Sequence, residues 1–179
     1  GKKIKEEIKE LGTLECVVIT HSHADHIAGL ADLVNGTNVK VYIHSLDKEG
    51  LYNSILNEEQ VVATIVKEVE EQNVQTVEDD SKIQIGSTEF IVMHTPGHTR
   101  GSITLYNERE NVLISGDTIF KNSYGRTDLI TSDNTLKSCG TISYILFTTD
   151  TNKTQEDIYK ESLQNRYSSF FPVLAENTP

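Results

Sequence analysis

Apolar positions near the start of the chain repeat at the spacing of a helix. Among lysines and glutamates, apolar side chains recur one turn apart at Ile4, Ile8 and Leu11. Gly12 follows this repeat and is a natural C-terminal stop for a helix. The pattern therefore predicts a short amphipathic helix.

The next stretch changes to an extended pattern. Residues 14–20 are apolar and rich in β-branched side chains, which predicts a buried strand, and residues 39–44 predict a second strand. Between them, residues 26–36 predict a short helix closed by Gly36. The predicted order is strand, helix, strand.

Residues 58–73 return to helical spacing. Val61, Ile65 and Val69 fall on one face of a helix, and acidic side chains fall on the other. This pattern predicts a surface helix with an apolar stripe facing the core.

Two pairs of strands are predicted after that helix. Residues 81–95 predict two strands joined across Gly86 and Ser87, and residues 101–117 predict a second hairpin that turns at 107–111. Strands and helices interleave without strict alternation. We therefore predict an α+β fold in which helices cover a mixed sheet, rather than a barrel of eight units.

Composition narrows the classes of partner. The chain has 179 residues, enough for one domain, and a net charge of -11 with a pI near 4.9. This charge disfavours nucleic acid, and the sequence has no apolar run long enough to span a membrane. Cys16 and Cys139 form no paired motif, so we expect neither a disulfide framework nor a cysteine zinc site, and a cytoplasmic location.

Side chains suited to metal binding follow the predicted strands. The segment "THSHADH" (20–26) follows the strand at 14–20, "HTPGHTRGS" (94–102) follows the strand that ends near 94, and "SGDTIF" (115–120) follows the next hairpin. Imidazole and carboxylate groups are ligands for zinc, iron or manganese. We therefore predict a metal site at the strand ends.

Other residues near these motifs are ambiguous or are given no role. Isolated histidines in strands are more often structural than ligating, so we assign none to His44 or His94. Gly97, Gly101 and Gly116 are equally well explained as ordinary turn glycines.

The three motifs, in this order and spacing, resemble the metallo-β-lactamase superfamily. The segment "GRTDL" (125–129) is similar to the small glyoxalase II-like members, relatives of hydroxyacylglutathione hydrolase. The match covers about residues 4–134. The resemblance implies a four-layer αβ/βα sandwich with metals at one edge, between the two sheets.

The resemblance also implies roles for individual residues. It implies a first metal held by His21, His23 and His98, a second metal held in part by Asp25 and His26, and a bridge by Asp117. Residues that help to build the pocket wall would be Arg126 and Asp128.

Two departures from the family pattern set further expectations. Family members carry strands before the helix found here at residues 2–11, so we expect a sandwich incomplete at its N-terminus. No histidine follows His98, so we expect weaker binding at the second site. We assign residues 1–134 to a metal-binding core and leave 135–179 unassigned, as a diverged or frame-shifted tail.

These observations predict a metal-dependent hydrolase that binds one or two zinc ions, with iron or manganese as alternatives. We expect metal-bound hydroxide to attack a small-molecule thioester such as a hydroxyacyl-glutathione, with Asp25 orienting the nucleophile. A mononuclear iron persulfide dioxygenase and a metal-binding remnant with little or no activity are the alternatives. The sequence leaves the oligomeric state open.

Overall fold

The structure, a computed structural model, describes residues 2–120 and 123–133. The unassigned tail at 135–179 lies outside these residues. Within the described ranges the helices are α1 Lys2–Leu11, α2 Ala24–Ile27, α3 Leu30–Val34 and α4 Glu59–Val62. The strands are β1 Cys16–Val18, β2 Lys40–His44, β3 Val74–Val77, β4 Lys82–Ile85, β5 Thr88–His94, β6 Ile103–Asn107, β7 Val112–Ile114, β8 Ile119–Phe120 and β9 Ser123–Tyr124.

The strands form two main sheets. A parallel sheet has the order β1-β2-β3, and an antiparallel sheet has the order β4-β5-β6-β7. A two-stranded ribbon, β8-β9, follows. The α+β class is confirmed, but the single mixed sheet predicted from the alternation of elements is wrong, because parallel and antiparallel pairings separate into different sheets.

Side-chain alternation along the parallel sheet divides the core into two parts. On β2, Val41 and Ile43 pack with the helix residues Ile27 and Val34, whereas the intervening Tyr42 packs on the opposite side. The period of two residues in a strand produces this division. Both faces of the parallel sheet are therefore covered, as parallel sheets require.

The second part of the core lies between the two sheets. Val18 and Val77 of the parallel sheet pack with Val92, Ile103 and Leu105 of the antiparallel sheet. The described residues thus supply three successive layers of the implied four: helices, parallel sheet and antiparallel sheet. None of the helices in this part of the chain has the length and apolar content to cross a bilayer.

Most elements predicted from periodicity are confirmed. The first helix is α1, and Gly12, with φ of +139°, follows it. Both hairpins and the strand at 39–44 are present. The helix predicted at 26–36 is divided into α2 and α3, which are separated by two residues.

The helix predicted at 58–73 is wrong. Only α4 is helical there, and it ends at Ala63, which adopts a left-handed conformation with φ of +49°. Ile65 is 85% exposed, whereas Val69 is 4% exposed and packs in the core beneath α3. From 64 to 70 the chain has no regular secondary structure, and the side chain of Asn35, at the end of α3, bonds to the backbone at Glu68 and Glu70. The chain then forms β3, which the sequence reasoning missed.

The different burial of Val69 and Ile65 predicts effects of different size for two similar substitutions. Val69→Ala removes two buried methyl groups and should lower the free energy of unfolding by about 2 kcal/mol. Ile65→Ala should change it by less than about 0.5 kcal/mol, because that side chain is in solvent. Chemical denaturation measures both values. Equal losses would support the predicted helix, in which both side chains face the core.

Candidate metal centre

Three buried imidazoles converge beyond the carboxyl end of β1. His21 and His23 lie in the segment between β1 and α2, and His98 lies in the loop between β5 and β6. Their exposed fractions are 1%, 6% and 5%. The ring centroids of His21 lie 4.8 Å from those of His23 and His98, which are 4.6 Å from each other. One nitrogen from each ring lies within 4.8 Å of the others.

A second group of donor atoms adjoins the first and shares His21. Its other members are His26 on α2 and Asp117 in the loop after β7, and their donor atoms also lie within 4.8 Å of one another. Asp117 Oδ1 is 3.2 Å from His26 Nε2, and Oδ2 is 3.7 Å from His98 Nε2. The two oxygens of Asp117 therefore face one imidazole from each group, an arrangement suited to bridging two ions.

Asp25 lies beside these groups without belonging to either of them. Its Oδ2 is 3.8 Å from His26 Nε2, and more than half of its side chain is exposed. It lines the cavity next to the imidazoles. In this position its carboxylate is accessible to a molecule in the cavity.

Hydrogen bonds at the Nδ1 atoms orient two of the rings. His98 Nδ1–H donates to the carbonyl oxygen of Arg126 at 2.8 Å, and His21 Nδ1 lies 3.3 Å from the hydroxyl of Thr20. The Nε2 atoms of His21 and His98 are buried without a hydrogen-bond partner among the described residues. A buried polar atom without a partner is costly, and a metal ion would remove that cost.

Burial favours the neutral form of two of these imidazoles, those of His21 and His23. Desolvation, followed by the neighbouring His26, lowers the pKa of His21 to about 2. Desolvation and the neighbouring His98 lower the pKa of His23. Neutral imidazole is the form that ligates metal. The hydrogen bond between His26 and Asp117 raises the pKa of His26 and lowers that of Asp117.

The donor set fits a divalent metal ion. Three imidazole nitrogens with an adjacent carboxylate match the preferences of zinc and iron. The two unpartnered Nε2 atoms are the structural observation that supports this fit. His21, His23 and His98 would hold one ion, and His26 and Asp117 would contribute to another.

The buried carboxylate of Asp47 joins the two histidine loops. It accepts hydrogen bonds from the backbone N–H of Ser22 at 3.0 Å and of Gly101 at 2.7 Å. It also accepts one from the Thr99 hydroxyl at 2.8 Å. Since Ser22 lies between two histidines and Thr99 follows His98, this single side chain fixes the separation of the loops.

Two glycines in the motifs allow close approach between loops. A Cβ at Gly101 would lie 2.6 Å from Asp47 Oδ1, and one at Gly116 would lie 2.5 Å from Thr20 Oγ1. Gly116 also has a φ of +51°. These contacts favour a specific packing role for both residues over that of ordinary turn glycines.

A cavity of about 190 Å³ opens beside the imidazoles. Arg126 lines it and forms an ion pair with Asp128, with Arg126 Nε to Asp128 Oδ1 at 2.8 Å. Asp128 lies outside the lining and is joined to it by this ion pair. The apolar part of the lining comes from Val61, Val62, Phe120 and Leu129.

His44 and His94 lie outside both donor groups. Their rings stack on each other with centroids 4.0 Å apart. His94 Nε2–H donates to the carbonyl oxygen of Arg100, and His44 Nε2 lies 3.3 Å from Glu78 Oε2. These contacts account for both side chains without a metal.

Sequence reasoning missed several residues that support the imidazoles. Asp47 and Glu58 carry buried carboxylates, and Thr131 is also buried. None of the three belongs to a recognisable sequence motif. Their partners are distant in sequence, so no local pattern identifies them. The one available signal was an acidic residue in the segment directly after a buried strand, which applies to Asp47.

The fold agrees with comparisons to known proteins. The sequence model of the Metallo-beta-lactamase superfamily matches residues 3–165. The chain therefore belongs to the metallo-β-lactamase superfamily, whose members bind metal ions and are generally hydrolases. The recognition made from the motifs is confirmed.

This chain matches only part of the length of its individual relatives. The probable metallo-hydrolase YqgX of Bacillus subtilis is 34% identical over 131 residues, which are 73% of this chain and 62% of YqgX. A hydroxyacylglutathione hydrolase of Bartonella tribocorum is 30% identical over 114 residues, 64% of this chain and 38% of that protein. This chain spans less than two thirds of the length of either relative.

Solved structures confirm the fold. The crystal structure of the B3 metallo-β-lactamase BLEG-1 has a TM-score of 0.67 and 30% identity, covering 75% of this chain and 65% of that one. The structure of TTHA1623 in a di-iron-bound form has a TM-score of 0.64 and 27% identity, covering 74% and 64%.

Asp47 offers a test of how the loops are held. Asp47→Asn places an NH₂ group against an N–H or O–H donor, so it should lower the free energy of unfolding by about 2–3 kcal/mol. Glu49→Gln changes an exposed side chain of the 3₁₀ helix Ser45–Leu51, which also contains Asp47. It should change the free energy of unfolding by less than about 0.5 kcal/mol. Equal stability of the two variants in urea denaturation would contradict the role of Asp47 in joining the two histidine loops.

A second test concerns the ligands. His98→Ala should weaken metal binding by more than about 100-fold, beyond the effect of losing a mere supporting group. His94→Ala should leave metal content unchanged, because that ring lies outside both groups. Elemental mass spectrometry on protein purified without chelators measures both, and full occupancy in His98→Ala would overturn the ligand assignment.

Proposed function

We propose that this chain is a metal-dependent hydrolase of small acyl thioesters, such as a hydroxyacyl-glutathione. The observation that carries the proposal is the set of buried imidazoles whose unpartnered Nε2 atoms, on His21 and His98, converge beside an open cavity. Such a site combines ligand positions with room for a substrate.

The charge of the cavity favours an acyl group over a phosphate ester. Among the lining residues, Asp25, Glu58 and Asp117 contribute carboxylates, whereas Arg126 contributes a guanidinium that is already paired. Among the described lining residues, a phosphate ester finds no arginine or lysine that is not already paired. The apolar side chains of Val61, Val62 and Phe120 in the lining suit an uncharged acyl group better than a phosphate ester.

Asp25 is the residue proposed to handle the proton. A divalent ion at this centre would acidify water and polarise the acyl oxygen. The exposed carboxylate of Asp25 accepts a proton from the attacking water as the new C–O bond forms. The C–S bond then breaks, and the departing sulfur takes up that proton, which gives a carboxylic acid and a thiol.

The relatives support the choice of substrate class. A protein 30% identical to this chain is a hydroxyacylglutathione hydrolase, and the match includes 64% of this chain. The segment from Gly125 to Leu129, which resembles that branch, supplies the carbonyl oxygen that orients His98. This contact links the branch-specific segment to the proposed metal site.

A second candidate is an iron-dependent persulfide dioxygenase. It is favoured by the group of His21, His26 and Asp117, because two imidazoles and one carboxylate are the donor set of non-haem iron oxygenases. In that reaction the outer sulfur of a persulfide loses four electrons to O₂. With one water molecule, the products are a thiol and sulfite.

The two functions predict different products from the same chain. For the hydrolase, zinc-loaded protein should release thiol from a hydroxyacyl-glutathione thioester. Asp25→Asn should lower kcat by about 100-fold or more, while the ion held by His21, His23 and His98 is retained. The matched variant Asp32→Asn, on the exposed face of α3, should leave kcat unchanged.

Other outcomes identify the alternatives. Oxygen uptake with sulfite formation by iron-loaded protein, without thioester turnover, would replace the hydrolase with the dioxygenase. Silence in both assays from folded, metal-loaded protein would support a metal-binding remnant and overturn the proposal.

A further inference from the structure

Glu58 is a buried acidic residue in an unusual backbone conformation. It is 8% exposed, and its φ of +57° lies in the left-handed region, which non-glycine residues rarely adopt. The preceding residue, Asn57, is buried and accepts a hydrogen bond from the N–H of Ala24 at the start of α2. The loop that carries Glu58 is therefore docked beside the second histidine of the first motif.

A threonine connects Glu58 to that histidine. The Thr131 hydroxyl donates a hydrogen bond to Glu58 Oε1 at 3.1 Å, and its oxygen lies 2.9 Å from His23 Nε2. The direct distance from His23 Nε2 to Glu58 Oε1 is 3.8 Å, too long for a hydrogen bond. The carboxylate thus acts on the imidazole through the hydroxyl.

The direction of this chain of hydrogen bonds follows from the number of protons. A carboxylate only accepts, and a hydroxyl has one proton to donate. Because Thr131 gives its proton to Glu58, its oxygen must accept from His23, so the ring proton of His23 is on Nε2. The lone pair is then on Nδ1.

We propose that Glu58 and Thr131 are positioning residues: their relayed hydrogen bond fixes His23 in the Nε2–H tautomer and leaves Nδ1 available to a metal ion. The inference rests on the ligand set of the proposed function. It assigns the orientation of His23 to two residues that are distant from it in sequence. Partners of this kind orient metal-binding histidines in many proteins.

The sharpest variant leaves the hydroxyl in place and removes its acceptor. In Glu58→Leu the Thr131 proton is free to turn toward His23 Nε2, which would move the ring proton to Nδ1 and block ligation. Zinc affinity, measured by competition with a chromophoric chelator, should fall by about 10- to 100-fold. Glu58→Gln keeps an acceptor oxygen and should lose less than about tenfold.

A double variant separates orientation from a structural effect. Adding Thr131→Val to Glu58→Leu removes the misdirected donor, so zinc affinity should partly recover. A merely structural role for Glu58 predicts a further loss instead. Glu59→Leu, the same change at the next residue, should leave zinc affinity at the wild-type value. Should Glu58→Leu fail to fold, Thr131→Val should bind zinc more weakly than Thr131→Ser, which retains the hydroxyl.

Heteronuclear NMR of the histidine ring nitrogens tests the tautomer without reference to activity. In the purified full chain, His23 should carry its proton on Nε2, and in Glu58→Leu the proton should shift to Nδ1. A wild-type His23 protonated on Nδ1, or unchanged zinc affinity in Glu58→Leu, would overturn the proposal. Failure of the wild type to bind zinc would instead count against the proposed function, since the tautomer is measured independently.

Discussion

The candidate site depends on three buried imidazoles that are directed at one point. Burial also favours the neutral form that binds metal, because desolvation lowers the pKa values of His21 and His23. Direction is supplied from outside the cluster: each ring has one nitrogen beside a polar group, from Thr20, Thr131 or the carbonyl of Arg126. Polar groups aimed inward without partners would destabilise a protein that bound no ion, so this arrangement is consistent with a site built for binding.

The same constraint explains why the two sheets must meet accurately at this edge. The first two imidazoles follow a strand of the parallel sheet, whereas His98 precedes a strand of the antiparallel sheet. The N–H of Ile103, at the start of β6, donates to the carbonyl of Thr20, and Asp47 bonds to both loops. These bonds hold the loops that carry the candidate ligands at a fixed separation.

Much of this arrangement was predictable from the sequence, for physical reasons. Two histidines separated by one residue after a buried strand must be neighbours, and the motif resemblance placed His98 and Asp117 beside them. Residues such as Glu58 and Thr131 were not predictable. They are separated from each other by 73 positions, and Thr131 is separated from His23 by 108. Only the folded chain brings them together.

The one large error in secondary structure lies at the same place. Residues 58–73 have helical periodicity, yet the helix is confined to four residues between left-handed Glu58 and Ala63. A regular helix starting at Glu58 would give this residue a negative φ and reorient its carboxylate relative to Thr131. The short helix instead leaves Val61 and Val62 in the cavity lining. Local propensity is thus overridden where the chain forms the wall of the site, because the buried contacts of Glu58 and Asn57 favour the irregular conformation over helix continuation.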